Sequence, residues 1–124
     1  MFGSEKDSEL TAAVSELAAA GRVAFGGVGI VGSLLPETEA YQRVAAVVAD
    51  HPEKVRDQLD RLLATGAPAG RVYAATLLGQ LDPAAGRAAW IALRGDPAEL
   101  HTATGCVLGQ TTVGEYAAER LAGA

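Results

Sequence analysis

The chain has 124 residues, of which 49% are hydrophobic, 20% charged and 5% aromatic. That is one domain's worth of material, too apolar for a disordered chain and too short for a dinucleotide-binding domain plus a substrate domain. Ten Lys and Arg against 15 Asp and Glu leave a net charge of −5, which repels a phosphate backbone and speaks against a nucleic-acid partner.

Ala and Leu supply most of the apolar count, which suits closely packed helices better than a β-sandwich. One cysteine, Cys106, excludes an internal disulfide and a cysteine metal cluster, and it fits a reducing cytoplasm. The acidic start, Met1 to Asp7, lacks the basic region of a secretory signal. The longest apolar run, 23–35, has four glycines. At about 13 residues it falls short of the roughly 20 that cross a bilayer. A cytoplasmic protein with no membrane segment is expected.

The first element in chain order is an amphipathic helix over Ser4 to Ala20, with Leu10, Val14 and Leu17 on one face and Gly21 as its C-cap. Beyond it, punctuation is the strongest signal. Pro36, Pro52, Pro68, Pro83 and Pro97 stand 16, 16, 15 and 14 residues apart. Proline is favoured in the first turn of a helix, where its missing N–H costs nothing. Asp82-Pro83 and Asp96-Pro97 each place a capping carboxylate before that proline, and Asp50-His51-Pro52-Glu53 obeys the same logic. Thr112-Val113-Gly114-Glu115, fifteen residues past Pro97, spells a capping box. The spacing predicts helices of about 10 to 13 residues joined by short turns.

The apolar stripes agree. Val55, Leu59, Leu62 and Leu63 line one side of the helix after Pro52; Val72, Leu77, Leu78 and Leu81 line the next. Trp90, Ile91 and Leu93 come after these, then Leu100, Cys106 and Val107 in a helix after Pro97. Tyr116, Ala117, Arg120 and Leu121 close the chain. Counting back by fifteen from Pro36 suggests a further helix over 22–34. Gly79, Gly105 and Gly109 are small residues that let helix backbones approach.

From Arg71 to Gly109 the text resembles the short HEAT-like repeats of phycobilisome lyases. Arg71-Val72-Tyr73-Ala74-Ala75 leads to Leu78-Gly79-Gln80-Leu81 and Asp82-Pro83-Ala84-Ala85; Asp96-Pro97-Ala98-Glu99-Leu100 then restarts the pattern, which closes on Val107-Leu108-Gly109. The resemblance implies paired helices that stack side by side, each pair too small to bury its own apolar face. Gly66-Ala67-Pro68-Ala69-Gly70-Arg71-Val72-Tyr73-Ala74 is also similar to a segment of small bacterial proteins of unassigned function, a likeness that implies no activity.

The sharpest rival signal is Gly27-Val28-Gly29-Ile30-Val31-Gly32, a G-x-G-x-x-G after a short candidate strand at Arg22 to Phe25. Asp50 comes after a second candidate strand, Val44 to Ala49, where a dinucleotide site places its ribose-binding acid. Pro36 interrupts the helix that should cradle the phosphates, and no third strand is evident after Asp50. His51 reads as a helix-start residue. His101 and Cys106, five apart on a helix, diverge by about 140° and form no nucleophile pair. Arg56, Arg61, Arg71, Arg87 and Arg94 are the only candidates for a basic stripe.

The expected fold is therefore a single all-α domain over 1–124, a compact stack of about seven or eight short antiparallel helices resembling a HEAT-like α-solenoid fragment. The expected function is a non-catalytic protein–protein interaction module: an adaptor, an assembly factor or a toxin-neutralising immunity protein. The alternative is a small nucleotide- or dinucleotide-binding enzyme using Gly27, Gly29, Gly32 and Asp50. No catalytic, cofactor or metal residues are expected. Asp50, Glu53, Asp57 and Asp60, spaced 3, 4 and 3, are expected to line one helix face, with Arg56 and Arg61 interleaved as in a solvated face with local ion pairs; as a binding strip they would meet a basic protein partner. Tyr73 and Trp90 are large for an Ala-rich core; such residues are more often core than interface, and they are also the candidate contact residues, since Trp and Tyr are enriched at binding hot spots.

Overall fold

A computed structural model describes residues 4–23, 36–104 and 107–123. Its described residues form helices α1 (Ser4–Ala18), α2 (Pro36–Asp50), α3 (Pro52–Thr65), α4 (Pro68–Leu81) and α5 (Pro83–Leu93), a hairpin of β1 (Glu99–Thr104) and β2 (Val107–Thr112), and α6 (Val113–Gly123). The molecule is mostly helical. Four of the five prolines occupy the first position of a helix, as their spacing predicts.

The central element is α4. Ala69, Gly70, Val72, Tyr73, Ala74, Ala75, Leu77 and Leu78 are all buried, so nearly its whole circumference is enclosed. It packs against α1, α2, α3, α5, α6 and β1. A helix that is apolar all round has this fate. Around it, Leu10, Leu17, Val44, Val55, Leu59, Leu62, Leu93, Leu100 and Val113 complete the core.

Small residues set the spacing of α4 from its neighbours. A Cβ on Gly86 of α5 would stand 2.4 Å from the Gly79 Cα, so these two helices touch backbone to backbone. On the other side of α4, a Cβ on Gly70 would lie 2.5 Å from the Leu17 carbonyl oxygen of α1. Gly79 thus has the packing role expected of it, with Gly86 as its counterpart. Gly109 does not pack helices: it sits in β2 opposite Thr102. Gly105 lies outside the described residues.

The helix expected after Pro97 is instead the hairpin. β1 and β2 pair antiparallel from Glu99↔Thr112 to Thr104↔Val107. The stretch carries Thr102, Thr104, Val107, Thr111 and Thr112, whose branching at Cβ disfavours helix and suits a pleated strand. Leu100 is buried beneath β1 and His101 beside it is exposed, the alternation of a half-buried strand. Val23 adds a single parallel bridge to Thr102, with its N–H donating to the His101 carbonyl at 2.8 Å.

Three smaller expectations are corrected. Helix α1 ends at Ala18, and Gly21 does not cap it; the N–H groups of Ala19 and Ala20 bond back into its last turn. His51, not Asp50, is the N-cap of α3, and its side chain makes no capping hydrogen bond. A third strand after Asp50 was not evident from sequence, yet this hairpin lies there. The helix expected over 22–34, the G-x-G-x-x-G glycines and Cys106 fall, apart from residues 22 and 23, outside the described residues.

Candidate functional site

The row of acids does not survive as one face. Asp50 ends α2, the helix is interrupted at His51, and Glu53, Asp57 and Asp60 belong to α3. All four are exposed to solvent. Arg56 lies 3.6 Å from Asp60 at i,i+4, and His51 Nδ1 lies 3.9 Å from Glu53 Oε1. Such surface pairs are a solvated face with small local attractions. Asp50 also loses the strand that a dinucleotide site requires in front of it, because Val44 to Ala49 is helical.

Tyr73 is fully buried in α4 and is a core residue, so it offers no contact to a partner. Its ring lies 5.7 Å from that of Tyr41, tilted by 38°. Trp90, by contrast, is half-buried at the junction of α5 and α6, with its ring centroid 5.8 Å from Tyr116. Both pairs lie within the roughly 4.5–7 Å between centroids over which aromatic rings attract, at a tilt between stacked and edge-to-face.

These two pairs belong to one region. Gln80, at the end of α4, donates from Nε2 to the Tyr41 hydroxyl at 2.6 Å. Arg120 donates from Nη2 to the Tyr116 hydroxyl at 3.0 Å, and its guanidinium carbon stands 5.2 Å from the ring centroid. Burial pushes the Tyr41 hydroxyl above the usual tyrosine range; the Gln80 hydrogen bond and the Arg120 charge oppose this, and Tyr116 adds to it. Helix α4 packs against both α2 and α6, which brings Tyr41 and the Tyr116–Arg120 pair to its two flanks. Tyr41, Trp90 and Tyr116 are each partly open, with exposed Gln80 and Arg120 between them.

Beside this patch, the outer side of α5 is unusually apolar. Ala84, Ala88, Ile91 and Ala92 are exposed there, interrupted by Arg87. Ile91, 46% exposed, is the large aliphatic side chain left most open among the described residues. Sequence reasoning found Trp90 and missed Tyr41, Gln80, Tyr116 and Arg120. The i,i+4 spacing of Tyr116 and Arg120 was a readable signal; the approach of Tyr41 was not, since α2 and α6 are far apart in sequence.

A second feature lies on another side. A cleft of about 290 Å³ is bounded by Glu9 and Leu10 of α1, Arg43, Ala46, Val47 and Asp50 of α2, and His51 and Lys54 at the α2–α3 turn.

The five arginines considered as a basic stripe are dispersed over α3, α4, α5 and the turn after it, and Arg71 is engaged with Asp96. Among the described residues no cluster of three or more His, Cys, Asp or Glu could hold a metal ion, and no helix is long and apolar enough to cross a membrane. Comparison with family models, with curated proteins and with solved structures gave no match.

Proposed function

We propose that the chain is a non-catalytic protein–protein interaction module, acting as an adaptor, an assembly factor or a toxin-neutralising immunity protein. The observation that carries this reading is the patch of Tyr41, Trp90, Tyr116 and Arg120, partly open to solvent in a chain with 5% aromatics. Trp, Tyr and Arg are the residues in which binding energy concentrates, because each covers a large area and keeps a polar handle. The adjoining apolar side of α5, with Ile91 exposed, extends the same face.

The platform is a stack of consecutive helices in the HEAT-like manner. The regular starts of α2, α3, α4 and α5 support this, as does the packing of each on the next. The hairpin then takes the place of one helix of the repeat. The net charge of −5 steers a basic partner at long range, while the aromatic patch forms the close contact.

The test is capture from the native host with the tagged chain, then affinity measurement with the recovered partner. One partner near one-to-one is expected, and Trp90→Ala or Ile91→Asp is expected to weaken it by about 2 kcal/mol, roughly thirtyfold, with unchanged circular dichroism. A partner whose affinity ignores both substitutions would place the interface elsewhere; recovery of the chain alone would overturn the reading.

A further inference from the structure

The cleft between α1, α2 and the α2–α3 turn takes no part in the aromatic patch, and its lining has a chemistry of its own. Arg43, Ala46, Val47 and Asp50 stand at i, i+3, i+4 and i+7, so they form one stripe along α2. Seven residues of helix separate the cation from the acid by about 10 Å along the axis. Between them the floor is apolar: Ala46 and Val47 from α2, and buried Leu10 from α1. Glu9 and Lys54 add one more charge of each sign at the rim, with His51 beside Lys54.

Counting formal charges, Arg43 and Lys54 balance Glu9 and Asp50, with His51 taken as neutral. Among the described residues the lining therefore carries positive and negative charges in equal number. It offers separated poles. A ligand with one charge would pair at one end and leave the opposite pole beside its apolar tail. A ligand with both charges satisfies both ends and lays its methylenes on Val47 and Leu10.

We propose that this cleft binds a small dipolar molecule, an unbranched ω-amino carboxylate whose anionic end pairs with Arg43 and whose ammonium pairs with Asp50. The volume of about 290 Å³ is at the lower limit of ordinary small-molecule sites and suits a body of a few methylenes. The site is independent of the interaction patch: neither Arg43 nor Asp50 belongs to it.

The experiment uses the full chain and 6-aminohexanoate, with hexanoate and hexylamine as singly charged analogues, read by calorimetry and by amide shifts in two-dimensional NMR. Saturable binding of 6-aminohexanoate is expected, with shifts gathered at residues 9–10 and 43–54. Each analogue is expected to bind about tenfold more weakly, since each forfeits one charge-assisted contact. Arg43→Met and Asp50→Asn lie on an exposed helix side and are expected to fold normally. Arg43→Met should weaken 6-aminohexanoate about tenfold while leaving hexylamine unchanged; Asp50→Asn should weaken it about as much while leaving hexanoate unchanged. Absence of saturation, equal binding of the three compounds, indifference to both substitutions, or shifts gathered elsewhere would each overturn the proposal.

Discussion

Two Asp-Pro-Ala segments fourteen residues apart lead to different structures, and their contrast explains much of this molecule. At Asp82-Pro83-Ala84, the Asp82 carboxylate accepts from the Ala84 N–H at 3.1 Å and α5 begins. At Asp96-Pro97-Ala98, the Asp96 carboxylate accepts from the Ala98 N–H at 2.9 Å in the same i,i+2 manner, and a strand begins. The local turn is shared. The residues beyond the turn make the difference: Ala84-Ala85-Gly86-Arg87-Ala88-Ala89 propagates a helix, whereas Glu99-Leu100-His101-Thr102-Ala103-Thr104 alternates and brings two branched threonines.

Tertiary contacts then separate the two aspartates further. The second oxygen of Asp96 accepts from Arg71 Nη1 of α4 in a part-buried ion pair. The Asp96 backbone is also committed: its N–H donates to the Leu93 carbonyl at 3.0 Å and its carbonyl accepts from the Gly114 N–H at 2.9 Å. Asp96 therefore joins α4, the end of α5 and the start of α6. Asp82 caps one helix. Gly95 permits the turn into this junction with φ of +98°, and Gly114 permits the approach, since a Cβ there would stand 2.7 Å from the Gly95 nitrogen.

The largest expected effect stems from this asymmetry. Asp96→Ala removes the turn acceptor and leaves Arg71 part-buried without its counter-charge, an expected loss of about 3 kcal/mol in chemical denaturation. Asp96→Asn keeps an acceptor for Ala98 and drops only the charge, so it is expected to lose about half as much. Equal losses for the two variants would show that the ion pair, rather than the turn, carries the whole effect.

Next comes the helical side of the contrast. Gly86→Ala gains about 1 kcal/mol of helix propensity but drives a Cβ into the Gly79 backbone, for a net loss of about 1 to 2 kcal/mol. A neutral or stabilising outcome would mean that α5 moves away from α4 freely. Asp82→Ala should cost about 1 kcal/mol, the ordinary value of an N-cap. If it matched Asp96→Ala, the distinction between the two aspartates would fail.

The smallest effect is a pH dependence. The Tyr41 hydroxyl is raised by burial, so the folded chain retains a proton that the unfolded chain releases above pH about 10. Its contribution is fully present below that pH and is lost as pH rises toward the folded value, because the unfolded state alone gains from ionising. The denaturation midpoint should fall in that alkaline window, and Tyr41→Phe should flatten the fall. A variant with the same alkaline slope as the parent would remove Tyr41 as its source.

Much of the fold was legible because helix starts are local. Pro36, Pro52, Pro68 and Pro83 fix φ and forgo an N–H that the first turn does not use. Half of the expected capping box formed: the Glu115 N–H donates to Thr112 Oγ1 at 3.1 Å, while the Glu115 carboxylate accepts from the Thr111 hydroxyl at 2.8 Å. The hairpin was readable in principle. Gly105-Cys106, a Gly-x pair between two Thr- and Val-bearing runs, is a hairpin signature that proline spacing does not carry. The candidate site was legible only at Trp90. Whether Tyr73 or Tyr41 reaches the surface depends on which helices surround α4, and no periodicity within α4 carries that information.

The sequence by itself determined where α2, α3, α4 and α5 begin and that the chain would be mostly helical. Each rests on groups a few residues apart: a ring that fixes φ, a side chain that caps an N–H, a stripe that must leave water. Only the tertiary structure decided that Asp96 is a junction while Asp82 is a cap, that Tyr41, Trp90 and Tyr116 share a region, and that Arg43 and Asp50 overlook one cleft with Glu9 and Leu10. Those outcomes rest on contacts between distant segments, whose favourable free energy appears only once the intervening chain has been ordered.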